Sequence, residues 1–379
     1  MSRFTFSRAL LWPAILLAGA AQAQQPPETH PGSEQRSIVL NYDRGSLPGD
    51  QVLWAERTVL GYSTDLDLKY GQIHLTCGSN SDSGKGRCPI EDSATTTSMR
   101  GSLPLRFTER RSGLRTEVEL TGWLLRAALT RFCGGEYWHV EERPLWTSYG
   151  TKCNGDLPAG TGVSLVLPQR ELEKLVAGRW DATLELFLRA DPAGPVLATY
   201  TFSFDLTITD RDAMSIYFPE FDQVSPRVGL NIDYNPIGLP SIGGRANLDM
   251  CLYDGLGSQA EYFEVTVRDD RRSAPGRPAG MYSVWHNTGG SEDRHRLDYE
   301  VVMDHNGAKL PLHNDRVEIL HGIDTAQLRL VLLPGMTQPV YCVPTPLSLI
   351  TPRVPAAGKA EGYYQGDLHI EFTLPTAGP

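Results

Sequence analysis

Positive charge is scarce in this 379-residue chain, in which 35 lysines and arginines stand against 45 aspartates and glutamates, a net charge of −10. Proteins that neutralise phosphates normally carry the opposite balance, so the composition disfavours a nucleic-acid partner. The strings GxxxxGK[ST], HExxH and GxSxG do not occur, so the chain lacks these phosphate-binding, metalloprotease and serine-hydrolase signatures. Long amphipathic helical patterns are also missing, which argues against a helix bundle.

Turn-forming residues are abundant instead. The chain has 37 glycines and 27 prolines, while the hydrophobic set makes up 40% and charged residues 21%. These proportions are typical neither of a disordered chain nor of a bundle of membrane spans. At roughly 100–200 residues per domain, the length predicts two domains. The composition therefore predicts a turn-rich, all-β chain of two domains.

The first 23 residues have the three parts of a secretory signal peptide. Arg3 and Arg8 form a basic region, an apolar stretch follows at 9–18, and Ala21-Gln22-Ala23 is an A-x-A cleavage site. A membrane anchor is the less favoured alternative, because a bilayer span needs about 20 apolar residues. We expect export through the periplasm and a place at the cell surface.

Six cysteines follow the signal peptide. An even number in an oxidising compartment predicts three disulfides, although six cysteines allow 15 connectivities. Proximity in sequence favours three pairs: Cys77 with Cys88, Cys133 with Cys153, and Cys251 with Cys342. A zinc site is the weaker alternative, because no C-x₂-C or Cys/His cluster has ligand spacing. We expect neither a metal nor a cofactor.

Short alternating runs dominate after a polar, proline-rich stretch at 24–36, which we predict to be a flexible leader and not a strand. Residues 103–120 form two alternating runs around a turn, and residues 182–188 and 197–208 form a second such pair. Both patterns are typical of hairpins with one buried face. Residues 168–176 are the best candidate for a short helix, with proline at its first turn.

A domain boundary fits residues 210–212, where a strand ends and a new apolar run follows at Ile216. We therefore predict a first domain at 37–209 and a second at 213–379. Four cysteines precede the boundary and two follow it. Short strands with Gly/Pro turns favour two tandem Ig-like β-sandwiches.

The last predicted strand alternates strictly. Leu368, Ile370, Phe372 and Leu374 fall on one face, and polar residues fall on the other. This pattern is expected of any terminal sandwich strand. It also fits a sandwich that lacks a strand and accepts one from another protein.

Five segments in order resemble the CfaE/CblD family of tip adhesins, which initiate class 5 chaperone–usher pili. They are FTERRS at 107–112, GVSLVLPQRELEKLVAGRW at 162–180, IYFPEF at 216–221, NLDMCLYDG at 247–255 and the G-x-Y-x-G at 362–366. The resemblance covers nearly the whole chain after the signal peptide. It implies an adhesin domain followed by a pilin domain that lacks one strand.

The resemblance also implies partners: a periplasmic chaperone, an outer-membrane usher, the donor strand of a major pilin and a glycan or glycoprotein receptor on a host cell. The apolar row at Leu368, Ile370, Phe372 and Leu374 is then the expected pairing site for the chaperone strand and later the pilin strand. Residues 24–36 do not alternate and contain three prolines, so they are unsuited to donate a strand. A subunit that accepts but does not donate belongs at the end of a fibre.

The receptor site of the family is not matched. Relatives use a cluster of arginines for an acidic sugar, and the positions of an adjacent pair fall here on Ala190 and Asp191, one residue after Arg189. Alanine and aspartate cannot supply bidentate contacts to a carboxylate. The remaining receptor candidates are Arg189 and the hairpin-tip residues Arg110 and Arg111, for which a solvated turn is the simpler interpretation.

Two other functions are compatible with the sequence. A freestanding secreted protein with two complete sandwiches could bind carbohydrate. A secreted β-sandwich could also be a glycosidase with paired carboxylates, but the acidic doublets of this chain, such as Glu141-Glu142, are typical of solvated turns. The sequence therefore favours a pilus tip subunit that acts by association and is not an enzyme.

Overall fold

The computed structural model describes residues 25–131, 136–150, 157–190, 194–221, 225–270 and 272–374. The predicted signal peptide and the cysteines Cys133 and Cys153 lie outside the described residues. Almost all regular structure is β, so the prediction of an all-β chain with two sandwich domains is confirmed. We refer to β1–β8 with α1 as the first domain and to β9–β22 as the second domain.

The elements of the first domain are β1 (Glu34–Asp43), β2 (Gln51–Tyr62), β3 (His74–Thr76), β4 (Gly101–Glu109), β5 (Arg115–Ala128), β6 (Pro158–Leu167), α1 (Gln169–Leu172), β7 (Gly178–Arg189) and β8 (Val196–Thr209), with 3₁₀ turns at Leu66–Leu68 and Ser83–Lys85. They form one sheet in the order β1-β8-β7-β4-β5-β6-β2, with β3 paired to β7. Both predicted hairpins are confirmed: β4 pairs antiparallel with β5, and β7 with β8.

The predicted short helix is shorter than expected. Residues 168–176 carry only the four-residue α1, for which Pro168 is the N-cap residue. After it, Lys174 N–H donates to Glu171 O and Leu175 N–H to Leu172 O, which are i→i−3 bonds. Such bonds tighten the backbone into 3₁₀ geometry and end an α-helix.

The prediction that residues 24–36 form no strand is wrong at its C-terminal end. β1 begins at Glu34 and runs parallel to β8, with Glu34 opposite Tyr200. Further upstream, Thr29 and Tyr62 exchange two backbone hydrogen bonds of 2.8 Å. Composition alone missed this segment, because its partners lie far along the chain.

The elements of the second domain are β9 (Ser215–Tyr217), β10 (Ile232–Asn235), β11 (Ser241–Leu248), β12 (Cys251–Tyr253), β13 (Tyr262–Arg268), β14 (Tyr282–His286), β15 (Arg296–His305), β16 (Ala308–Leu312), β17 (Arg316–His321), β18 (Arg329–Val331), β19 (Val340–Pro344), β20 (Leu347–Pro355), β21 (Tyr364–Gln365) and β22 (His369–Thr373), with 3₁₀ turns at Arg211–Ala213, Asp293–His295 and Ala356–Gly358. They form sheets in the orders β10-β11-β20-β15-β14-β21 (with β16 on β15), β18-β19-β12-β9 and β17-β13-β22.

Two of the predicted disulfides lie within the described residues and are confirmed. Cys77 bonds Cys88 with a Cα–Cα distance of 5.2 Å, and Cys251 bonds Cys342 with 5.8 Å. The second bond closes a separation of 91 residues. In the chain-entropy model a loop of that length is worth about 4–5 kcal/mol of stability.

Candidate functional site: a strand edge and a cross-domain hairpin

The last strand, β22, presents the apolar row that its alternation predicts. Phe372 is buried against the ring of Phe263 on β13, with centroids 5.6 Å apart. Leu368, Ile370 and Leu374 are half-buried and pack against the same core. The alternate residues from Asp367 to Thr373 are exposed. The row is therefore only partly covered by the chain itself.

The backbone of β22 is paired on one side. Its strand neighbour among the described residues is β13, in the antiparallel register Val265–Phe372 and Val267–Ile370. A second sheet ends at β10, and the segment before that strand adds the half-buried side chains of Val228 and Leu230 to the core that holds Phe372. An edge with unpaired backbone groups beside half-covered apolar side chains is suited to accept another strand.

Arg110, one of the three receptor candidates, is held in a surface ion pair. Its Nε and Nη2 lie 2.5 Å from the two carboxylate oxygens of Asp181, and Nη2 lies 3.2 Å from Asp205. Hydrogen bonding to Asp181, followed by Asp205, raises the pKa of this guanidinium. The bidentate face of Arg110 is thus occupied within its own sheet, although the side chain is 43% exposed.

Arg111 is neither a solvated turn residue nor a free surface cation. Its guanidinium crosses to the second domain, where Nη2 donates to Ile323 O and Ala326 O at 2.8 Å and Nε donates to Ser258 O at 3.1 Å. The turn that presents Ser258 is built on Asp254, whose Oδ1 accepts from the N–H groups of Leu256 and Ser258. The hairpin tip is therefore a contact between the domains, which corrects the expectation of solvent exposure.

Arg189 lies at the end of β7, where it pairs in register with His74 on β3. Its Nε donates to Thr76 Oγ1 at 3.1 Å. The neighbouring position 191 lies outside the described residues. The described part of this region therefore presents Arg189 as a half-buried residue tied to its own sheet, without a matched arginine beside it at Ala190.

His74 next to Arg189 gives the first domain a pH dependence. It is 1% exposed, and desolvation lowers the pKa of its imidazole below the ordinary value of about 6.5. Below that pH the unfolded chain binds a proton that the folded chain excludes, so stability falls as the pH decreases.

We expect the free energy of unfolding of the first domain to fall as the pH is lowered below about 6.5, by at most about 1.4 kcal/mol per pH unit from this group. His74→Gln should flatten that slope in urea titrations. His30→Gln, which changes an imidazole with a side chain 63% exposed, is the matched control. Equal slopes for all three proteins would contradict the assignment.

Aromatic residues between Cys133 and Cys153 pack against the sheet. Trp138 is 7% exposed and covers the outer face of β5 and β6 together with Trp123. Arg100 stacks 3.8 Å from the Trp123 ring and forms two hydrogen bonds of 2.7 Å with Glu142. Trp138 is therefore a packing residue of the sheet, whereas Tyr149 is 38% exposed.

Possible metal ligands and the carboxylates of a crevice bear on the glycosidase alternative. They contain no group of three or more His, Cys, Asp or Glu side chains placed to hold a metal ion. A crevice of about 410 Å³ lies where Arg44 and Arg170 face Gln338 of the second domain, and Glu173 is the carboxylate among its described lining residues. Glycoside hydrolysis commonly uses a pair of carboxylates.

Within the described residues, no helix is long and apolar enough to cross a membrane.

Together, the fold and the site define a class of protein: a two-domain, all-β subunit whose candidate site is a half-covered strand edge. Comparison with known proteins gives the family, that of the CFA/I fimbrial E subunit, CfaE. The model of the first CfaE domain matches residues 19–211, and that of the second CfaE domain matches residues 214–376. The chain belongs to this family of fimbrial subunits.

Individual relatives agree with the family models. The CFA/I fimbrial E subunit of Escherichia coli is 28% identical over 359 residues, which cover 91% of this chain and 92% of that protein. The crystal structure of CfaE, the adhesive subunit of CFA/I fimbria of enterotoxigenic E. coli, has a TM-score of 0.69 at 24% identity over 93% of this chain and 95% of that one. A chaperone–tip adhesin complex of CFA/I fimbriae has a TM-score of 0.66 at 24% identity over 93% and 99%.

Proposed function

We propose that this chain is the minor tip subunit of a chaperone–usher pilus, where it initiates assembly and mediates adhesion to a host surface. The observation that carries the proposal is the half-covered apolar row of β22 beside a backbone edge that pairs with no other described strand, in a chain of this family. Its action is association and not catalysis. The path runs through the periplasm to the cell surface.

Assembly would proceed by strand addition to the second domain. A periplasmic chaperone strand pairs first with the edge near Leu368, Ile370, Phe372 and Leu374, and at the outer-membrane usher the donor strand of the major pilin replaces it. Main-chain hydrogen bonds along the edge supply affinity, and the apolar row supplies specificity by side-chain fit. Until then the edge is an aggregation hazard.

The first domain keeps its own upstream segment, which supports a terminal position in the fibre. Residues 34–43 are paired along β8, and Thr29 is bonded to Tyr62. A segment engaged in this way is not available to complete a neighbouring subunit. A subunit that accepts a strand without donating one ends the fibre.

The first domain, predicted at 37–209 with the linker at 210–212, would carry the receptor surface for a glycan or glycoprotein. The internal bonds of Arg110, Arg111 and Arg189 leave them poorly placed to form an anion-binding cluster. We therefore do not transfer the acidic-sugar receptor of relatives to this chain.

The test is to supply the missing strand in cis. Two proteins are expressed in the periplasm and compared. One is residues 24–379, and the other is the same chain with a strand of alternating valine and threonine fused through a flexible linker after Pro379. We expect the fused protein to be soluble and to melt at least about 5 °C higher, since 1 kcal/mol shifts the Tm of a domain of this size by about 2–4 °C.

A control strand with the same composition in scrambled, non-alternating order should give no gain. If the bare chain is soluble, monomeric and equally stable, the second sandwich is complete. A freestanding two-domain binding protein would then replace the tip subunit as the best interpretation, and glycan and hydrolysis screens would follow.

A further inference from the structure

The G-x-Y-x-G segment that precedes β22 is hydrogen-bonded to the end of β14. Within it, β21 pairs antiparallel with β14 through Trp285–Gln365 and His286–Tyr364. Beyond this short ladder, Asn287 N–H donates to Tyr363 O at 2.9 Å. The chain is therefore fixed a few residues before the strand that is proposed to accept a partner.

His286 connects the end of β14 to the start of the motif segment through its side chain. Its ring is 7% exposed, with Nε2 2.9 Å from Glu361 O. Thr288 N–H points at Nδ1 from 3.3 Å, and Thr288 Oγ1 lies 2.7 Å from the same nitrogen. Because a backbone N–H can only donate, Nδ1 accepts, and this network assigns the ring proton to Nε2. His286 thus donates a hydrogen bond to Glu361 O.

The motif residues fit around this ring. A Cβ on Gly362 would lie 2.2 Å from His286 Nε2. The backbone φ of Gly362 is +146°, which disfavours any residue with a side chain at this position. The Tyr364 ring meets His286 edge-on at 5.2 Å, and its hydroxyl lies 2.7 Å from Ala360 O and 3.1 Å from Arg294 O. A Cβ on Gly366 would lie 3.1 Å from Ser283 O. Each motif position therefore has a local reason for its residue type.

The segment 361–366 lies close enough to β22 to restrict the register in which β22 pairs with β13. Two residues separate Gly366 from His369, the first residue of β22, so the two Cα atoms are three residue steps and at most about 11 Å apart. A slip of one residue would turn the apolar row to the opposite face. A five-residue strand with one strand neighbour among the described residues is held by few backbone hydrogen bonds of its own.

We propose that His286 is a positioning residue that, with Gly362 and Tyr364, fixes the start of β22 so that its apolar row is aligned before a partner strand arrives. This inference rests on the proposed function, because it concerns the same acceptor edge. It assigns the segment 361–366 a role in strand acceptance that is distinct from the pairing contacts of β22 itself.

The test compares hydrogen exchange in residues 369–373 with exchange in β11 of the same molecule, in residues 24–379 with and without the fused valine–threonine strand. His286→Ala should speed exchange in β22 about tenfold in the unfused chain, leave β11 unchanged and reduce the melting gain from the fused strand. His286→Gln, which keeps a donor near the Nε2 position, should restore part of both effects.

The matched control is His305→Ala, because His305 Nε2 also contacts a backbone carbonyl, that of His321 at 2.9 Å, but at a different turn. It should leave β22 unaffected. If His286→Ala does not fold, Tyr364→Phe removes only a hydroxyl and should show a smaller change in the same direction. Wild-type exchange in β22 and a full melting gain in the His286 variants would overturn the inference. A wild-type chain that gains nothing from the fused strand would instead refute the proposed function.

Discussion

A chain carrying Phe372→Asp is expected not to accumulate in the periplasm, even when a donor strand is fused to it. Phe372 is 8% exposed and packs on Phe263 in the core of the second domain. Removing a buried phenyl ring costs about 3–5 kcal/mol, and an unpaired buried carboxylate adds several more. The sum is comparable with the whole stability of an ordinary domain, about 5–15 kcal/mol.

Two companion variants separate folding from strand acceptance. Leu368→Asp changes a half-buried residue of the same row, so we expect the fold to persist with a fused strand but the bare chain to be lost. His369→Asp adds the same charge on the exposed face, opposite Arg268, and should be tolerated. The measurement is soluble yield in periplasmic extracts, with and without the fused strand. Normal yields of Phe372→Asp with and without the fused strand would contradict the proposal that the apolar row of β22 packs against the core and a partner strand.

Period-two alternation predicted strands wherever one face of the sheet meets a core and the other meets solvent. This holds for β4 with β5, for β7 with β8, and for β22. At residues 123–128 of β5 both faces are covered, so the run WLLRAA shows no clean alternation. The outer cover comes from the distant residue Trp138, and no local pattern in the sequence indicates it.

Residue type was a poor guide to the arginines, because the sequence does not show what faces a side chain. Two arginines at a hairpin tip, Arg110 and Arg111, suggested a solvated turn. The tip instead meets the second domain, and backbone carbonyls bind Arg111. Carbonyl acceptors belong to every residue and leave no compositional trace. The apolar row of β22 was predictable, by contrast, since its signal lies within seven consecutive residues.

Arg126 is the arginine whose loss should harm the first domain most. Its side chain is 1% exposed and lies on the core-facing side of β5, where desolvation lowers its pKa to about 9. Its guanidinium donates to Ile73 O at 2.7 Å, Thr147 O at 2.6 Å and Tyr149 O at 3.2 Å, and also to Thr161 Oγ1. One side chain thus joins the sheet to the loops at 73 and 147–149.

Arg126→Met is expected to destabilise the first domain by about 4 kcal/mol or more. Methionine fills similar space and removes the desolvation penalty, which for a buried ion pair is often enough to make an apolar replacement neutral. Here the acceptors are backbone carbonyls, which stay in place when the arginine side chain is removed. Each carbonyl left buried and unpaired would cost about 1–3 kcal/mol of stability. Lysine reaches fewer of them without the planar fork, so Arg126→Lys should be intermediate.

Urea unfolding followed by tryptophan fluorescence measures this loss in the right domain, because Trp54, Trp123, Trp138, Trp146 and Trp180 lie in the first domain. The matched control is Arg115→Met, which changes an exposed arginine at the start of the same strand and should stay within about 0.5 kcal/mol of wild type. If Arg126→Met proves as stable as Arg115→Met, relief of desolvation outweighs the unpaired carbonyls, and the guanidinium does not hold the loops at 73 and 147–149 to the sheet.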